Sequence, residues 1–230
     1  MNKALRISGI VLIIIVIFAA IIASMTVKPS AEDKVWDMST TIGNPKAKNY
    51  FVVYSDLVCP YCVAFENAIV EHEDEFQKYL EENDVLYEVR VSDFLYEYGE
   101  ARAISSRYSA LGAYCAKNQG KFWDYYNEAI SSVWNDYFKA MGKSALSKLN
   151  SSGQEYWVEI GKKVGLDNEE FTSCVENEEP LEEIKENAKK SANLITGMPS
   201  FKLNSYSPPG FDLSGDWEDV KAYFDEGLKS

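Results

Sequence analysis

The sequence predicts an α/β fold in two halves, strand–helix–strand and strand–strand–helix. A large all-helical insertion is expected between them, with an N-terminal transmembrane helix ahead of both. Three observations predict this arrangement. Asn49–Tyr54 (NYFVVY) is a strand-like run followed directly by Cys59-Pro60-Tyr61-Cys62 and a helical pattern. From Gly99 to Asn193 no segment alternates as a half-buried strand does, while apolar residues recur at helical spacing. The first 27 residues carry an apolar run long enough to span a bilayer. The 230 residues are ample for a core, and 46% hydrophobic with 26% charged residues excludes disorder and a dense disulfide scaffold.

Each element can be justified in chain order. Lys3 and Arg6 precede an uncharged run from Ile7 to about Val27, so residues 1–27 read as a membrane anchor with its positive flank inside. A cleaved signal peptide shares the charged start and apolar middle. The run is long for one, however, and Ile21 and Ala23 make only a weak cleavage site. Either reading exports the body to a compartment where disulfides persist. The expected location is the cell membrane, single-pass, with the folded domain on the extracytoplasmic side.

Residues 28–48 are polar and read as a tether and the start of the domain. Residues 49–95 form the first half. After the strand at Asn49–Tyr54, Val63, Ile69, Val70, Phe76 and Leu80 mark a long helix, and Asp84–Asp93 alternates as a second strand, parallel to the first. Residues 96–194 form the insertion. Its helices are marked by Ile104, Tyr108, Leu111 and Cys115, by Phe122 to Val133, by Gln154 to Val164, by Phe171, Cys174 and Val175, and by Leu181 to Leu194. Residues 195–230 close the fold. Pro199–Leu203 and Gly210–Leu213 are expected as two strands across the SPPG turn, and Asp216 caps a helix carrying Trp217, Val220, Phe224 and Leu228.

A net charge of −13 repels phosphate backbones, which excludes nucleic acid as a partner. The single histidine, His72, leaves multi-His metal sites and Ser-His chemistry without material, and the acids show no D-x-D-x-D-G calcium loop. The chemistry therefore falls to the four cysteines. Pro60 suits a first helical position, which places Cys59 at the N-cap, where free N–H groups and the helix dipole stabilise a thiolate. Cys62 lies one turn further in. One sulfur becomes nucleophile and leaving group, the other its resolving partner. Zinc would need a second closely spaced pair, whereas Cys115 and Cys174 stand 59 residues apart. A structural disulfide at the quartet remains the bland alternative. Gly197-Met198-Pro199-Ser200-Phe201 adds a proline at a strand start, a position suited to special geometry.

YSDLVCPYC (Tyr54–Cys62), AYCAKNQGKFWDYYNEA (Ala113–Ala129), GLDNEEFTSCV (Gly165–Val175) and GMPSF (Gly197–Phe201) occur in this order around the helical insertion. In these segments the chain resembles the DsbA-like branch of the thioredoxin superfamily, of the membrane-anchored bacterial type, from about Thr40 to the C-terminus. The resemblance implies a thioredoxin-like fold with Cys59 as the exposed, attacked cysteine and Cys62 as its partner. It also implies a cis Met198–Pro199 bond, with the Met198 backbone pairing a bound peptide. Met198 stands where many members have Thr or Val. Tyr61 stands where the strongest oxidants have His, which removes one donor to the thiolate.

The implied activity is protein thiol–disulfide exchange without a cofactor, acting as an oxidase on exported proteins that bear cysteine thiols. A quinone-linked membrane protein resembling DsbB or vitamin K epoxide reductase would reoxidise it, and the chain would act as a monomer. A reductase or isomerase kept reduced by a membrane donor, or a non-catalytic binding or chaperone module, are the rivals. Cys115 and Cys174 lie on inward stripes and within two of the resembling segments. The expectation is a structural disulfide between them, since Cys59–Cys62 closes a local ring; two buried thiols are the alternative.

Overall fold

In the computed structural model, residues 34–99, 103–213 and 215–230 are described; the expected membrane anchor at 1–27 lies outside them. Among the described residues no helix is long and apolar enough to cross a membrane. Strand β1 (Thr41–Gly43), β2 (Asn49–Ser55), β3 (Val85–Val91) and β4 (Ser200–Leu203) form one sheet in the order β1-β3-β2-β4. β2 runs parallel to β3, from Asn49 opposite Val85 to Ser55 opposite Val91, while β1 and β4 flank them antiparallel. Central β2 is apolar on both faces because both are covered. Phe51 and Val53 enter the main core, whereas Tyr50, Val52 and Tyr54 enter a smaller cluster with Leu86. The segment expected as tether thus contributes an edge strand, β1, too short to show alternation.

The long helix expected after the quartet is two helices, α1 (Pro60–Glu71) and α2 (Glu73–Glu82). His72 breaks them at φ −125°, ψ 40°, its N–H turning back to the Ile69 carbonyl at 3.1 Å. The chain closes with α8 (Trp217–Leu228), where Asp216 and Asp219 form a reciprocal capping box. Phe224 of α8 meets the rings of Phe51 at 5.3 Å and Phe65 at 6.0 Å, locking α8 and α1 onto the same sheet face.

The expected strand at Gly210–Leu213 does not form. Leu203 instead bridges Tyr206, and Phe211 drops into the core 5.0 Å from the Phe65 ring. The second half is therefore one strand and one helix.

The insertion holds α3 (Ile104–Asn118), α4 (Phe122–Val133), α5 (Gln154–Lys163), α6 (Asn168–Glu176) and α7 (Leu181–Ser191). Between α4 and α5 the chain passes through a π-helical turn (Trp134–Phe138) and short helical turns to Asn150. At Gly112 on α3, a Cβ would sit 2.1 Å from the buried Tyr125 hydroxyl of α4, so only glycine admits this crossing. The apolar stripe expected along α3 is buried at Leu111 and Cys115 but not in its first turns. Ile104 is exposed and Tyr108 half-buried, whereas Ser105, Ser106, Arg107 and Ser109 are buried. These polar groups can be enclosed because each is paired. The Ser105 hydroxyl donates to the carbonyls of Leu149 and Ser152, both at 2.8 Å, and Arg107 meets Asp93 and Glu97, both at 2.5 Å.

Cys115 of α3 and Cys174 of α6 are joined by a disulfide with a 2.03 Å S–S bond. The loop it closes spans 59 residues, which gives about 4 kcal/mol of denatured-state entropy as an upper figure. Replacing both cysteines by Ala should lower the thermal midpoint by several degrees. The rate of Cys59 alkylation should stay within about twofold of the parent, because the bridge joins two helices of the insertion and Cys59 lies at the N-cap of α1. Thermal scans of oxidised parent and double variant, with alkylation of each, check this.

Candidate active site

Strand β2 ends at Ser55, and Asp56-Leu57-Val58 turn the chain into α1, with Cys59 at the N-cap (φ −76°, ψ 120°) and Pro60 at the first helical position. The turn is fixed by Asp56. One carboxyl oxygen accepts the Val58 N–H at 3.0 Å; the other accepts the Leu95 N–H at 2.9 Å and the Ser106 hydroxyl at 2.7 Å. Its carbonyl accepts the Cys59 N–H at 2.9 Å, and its own N–H points at the Cys62 sulfur at 3.5 Å. The insertion therefore reaches the quartet through Ser106. It reaches Tyr61 as well, with the Lys143 ammonium 4.7 Å from the ring centre.

Both Cys59 and Cys62 are free thiols. Cys59 is 5% exposed and Cys62 0%, so the sulfur expected to be exposed is reachable only at its edge. One wall beside it is the segment leading into β4. There the cis bond lies between Met198 and Pro199, and the Met198 carbonyl accepts from the Cys59 sulfur at 3.5 Å. Residues 139 apart in sequence are thus brought together at one sulfur. Among the described residues no group of three His, Cys, Asp or Glu is arranged to hold a metal.

The two thiols are pushed in opposite directions. Donation from the Cys62 thiol lowers the Cys59 pKa. Burial opposes that shift, while the backbone N–H groups of Cys62 and Tyr61 reinforce it. Burial pushes Cys62 well above the ordinary thiol range, and its proximity to Cys59 adds to this. Helix position alone pointed to the N–H groups; the larger contribution, the neighbouring thiol, needs the folded pair. The arrangement favours the thiolate at Cys59 and the protonated thiol at Cys62.

Two buried carboxyls beneath the motif were not singled out in the sequence. Burial raises Asp56 to about 6, and its charge opposes that of both sulfurs. Burial likewise raises Glu66 to about 8, although the Tyr87 hydroxyl donates to it at 3.1 Å. The signal for Glu66 was its position: Cys62, Glu66 and Ile69 fall on one helical stripe, all buried. For Asp56 it was a charge set between Tyr54 and Leu57-Val58 at a strand end.

Alkylation of the reduced protein near about pH 6 should label Cys59 ahead of Cys62 by at least about tenfold. Mass mapping that finds equal labelling would contradict the split. Glu66 supplies a second expectation. Its folded pKa lies above its unfolded 4.5, so its contribution is greatest below 4.5 and is lost as pH rises through about 8. In the oxidised protein, between pH 6.5 and 7.5, stability should fall with a slope of up to about 1.4 kcal/mol per pH unit. Glu66→Gln should flatten that slope in urea unfolding curves.

No curated protein matches the sequence. Solved structures do match by fold. A thioredoxin-like oxidoreductase from Silicibacter pomeroyi DSS-3 aligns at 22% identity and TM-score 0.57, over 84% of this chain and 95% of its own. BdbD from Bacillus subtilis, in its oxidised form, aligns at 16% and 0.59, over 83% and 93%. The thiol-disulfide exchange protein alpha-DsbA2 from Wolbachia pipientis aligns at 18% and 0.54, over 85% and 90%. At these identities the likeness is one of fold. The thioredoxin family model matches residues 36–226, a stretch that takes in the sheet, the Cys59–Cys62 turn, the helical insertion and the cis-proline segment. The chain therefore belongs to the thioredoxin family.

Proposed function

We propose that the protein is a thiol–disulfide oxidoreductase of the DsbA type that oxidises exported proteins outside the membrane. The observation that carries this reading is the opposed pair of thiols, Cys59 lowered and Cys62 raised, at the N-terminus of α1. A substrate thiolate attacks the Cys59 sulfur of the Cys59–Cys62 disulfide and displaces Cys62. The proton lost by that substrate thiol is matched by one gained at Cys62. A second substrate thiolate then attacks the substrate sulfur of the mixed disulfide and displaces Cys59. Two substrate thiols become one disulfide and the enzyme pair becomes a dithiol.

A lowered Cys59 pKa favours that second departure and stabilises the reduced enzyme, which makes the disulfide a stronger oxidant. The Met198 backbone beside Cys59 is the edge on which an extended substrate segment would lie. Residues 1–27 act as the anchor, holding the domain on the extracytoplasmic side. There a quinone-linked membrane protein resembling DsbB or vitamin K epoxide reductase returns the pair to the disulfide.

Equilibration with glutathione should give a reduction potential for Cys59–Cys62 more positive than about −200 mV, towards the oxidising end of the family range. A value near about −270 mV would reassign the protein to reduction. The oxidised protein should restore activity to a reduced, unfolded disulfide enzyme, and Cys59→Ser should abolish this. Fractionation of the host, with protease added from outside, tests the anchor and the side on which the domain lies.

A further inference from the structure

The chain carries 36 acids against 23 Lys and Arg, yet three segments that meet at the reactive quartet are free of acids. Residues 57–65 hold the quartet, 137–154 bring Lys143 against Tyr61, and 187–211 bring Met198 against Cys59. None of the three contains Asp or Glu. We propose that Lys143 is a recognition residue for a carboxylate close to the cysteine of the substrate polypeptide. The proposal rests on the thiol-exchange reading above. It adds the class of substrate sequence favoured, one with acidic residues flanking the reacting cysteine.

The fold holds Lys143 at the quartet while leaving its side chain in solvent. After the π-helical turn, Gly142 takes φ 53°, a conformation open to glycine, and Lys143 follows in a short turn that ends at Ala145. Ala145 is fully buried, which anchors the turn, and Lys143 is exposed. Its ammonium lies 4.7 Å from the ring centre of half-buried Tyr61, the neighbour of Cys62. A substrate joined through sulfur to Cys59 carries its flanking residues outwards at no more than about 3.6 Å each. A residue within three positions of that cysteine therefore reaches about 10 Å, across Tyr61 to the ammonium.

The charge of Lys143 is not spent within the protein. Among the described residues it enters no salt bridge, and neither do Lys139 and Lys148 of the same segment. Lys117, by contrast, is held between Asp37 and Glu183. The acids closest in sequence to the quartet, Asp56 and Glu66, are buried. Asp93 and Glu97, after β3, are paired with Arg107. An unpaired cation in such surroundings attracts a carboxylate and repels an ammonium group. At physiological ionic strength the Debye length is about 8 Å, so acids elsewhere on the body are screened while a carboxylate in contact is not. A membrane of anionic lipid would attract the same lysines. The contact with Tyr61 favours the substrate, because it places the charge within the quartet that the substrate must reach.

The experiment uses the full-length oxidised protein in non-ionic detergent. Quenched-flow mass spectrometry follows reduction of Cys59–Cys62 by short peptides with Glu, Gln or Lys near a single cysteine. In the step read, the peptide thiolate bonds to the Cys59 sulfur. Cys62 leaves with the electron pair and takes up the proton that the peptide thiol lost. Each rate is divided by that of the same peptide with 2-hydroxyethyl disulfide, which removes the effect of the flanking charge on the thiol itself. It is divided again by the 2-mercaptoethanol rate of the same variant. Glu peptides should react about threefold faster than Gln peptides, and Lys peptides about threefold slower. Salt at about 1 M should bring both ratios towards one. Lys143→Gln should remove the order, Lys143→Glu should reverse it, and Lys143→Arg should keep it. A parent enzyme that does not discriminate, or an order that survives Lys143→Glu, overturns the proposal. Lys143-dependent binding to phosphatidylglycerol vesicles, with no order among the peptides, overturns it in favour of a membrane surface. Failure of 2-mercaptoethanol itself to reduce the pair overturns the thiol-exchange reading first, and the two failures are distinguishable.

Discussion

The Asp56 carboxyl is fully buried at the end of β2, and a buried carboxyl persists only where its oxygens are hydrogen-bonded. Its three donors come from three parts of the chain: Val58 in the reactive turn, Leu95 after β3, and Ser106 on α3 of the insertion. The carboxyl thus fixes how the sheet end, the neighbouring turn and the helical insertion meet. That meeting positions the reactive turn, since the backbone of Asp56 also contacts both cysteines. The burial that raises its pKa to about 6 is part of the same arrangement. A group that must be paired to be buried specifies geometry more sharply than an apolar side chain of equal size.

The far face of the sheet shows the same device. Glu88 of β3 is buried and accepts from the Trp36 backbone N–H at 2.9 Å, from the Tyr50 hydroxyl, and from Arg90 at 2.7 Å. The Arg90 guanidinium lies 3.7 Å from the centre of the Trp36 ring and donates to Tyr54 at 2.7 Å. Burying such a pair adds little net stability, but leaving either member alone would be costly, so the pair sets position. Here it clamps the segment at Trp36 against the sheet, and Lys117 of α3 continues the clamp to Asp37 at 2.9 Å. The chain entering from the expected anchor is therefore fastened to both the sheet and the insertion before β1 begins.

Much of the fold was legible because periodicity reports burial. NYFVVY reads as a strand buried on both faces, and Phe122–Val133 reads as the helix it forms. Pro60 after Cys59, and Asp216 three residues before Asp219, are local capping signals that act within a single turn. The readings that failed share a cause. Gly210–Leu213 has strand composition, but Leu203 bridges Tyr206 instead and Phe211 is drawn into the core against Phe65. The first part of the α3 stripe was assigned to Ile104 and Tyr108, yet buried serines and Arg107 face the core there because partners from distant segments meet them.

By itself the sequence determined the quartet, its place between strand and helix, the helical insertion between two α/β halves and the family they belong to. These depend on contacts a few residues long, where side-chain chemistry and backbone preference act directly. Only the tertiary structure decided that Met198 stands against Cys59 across 139 residues, and that Asp56 and Glu66 lie buried near the pair. Those features arise where separate segments converge, and the electrostatics of a sulfur depends on which groups surround it in space. Sequence spacing does not carry that information.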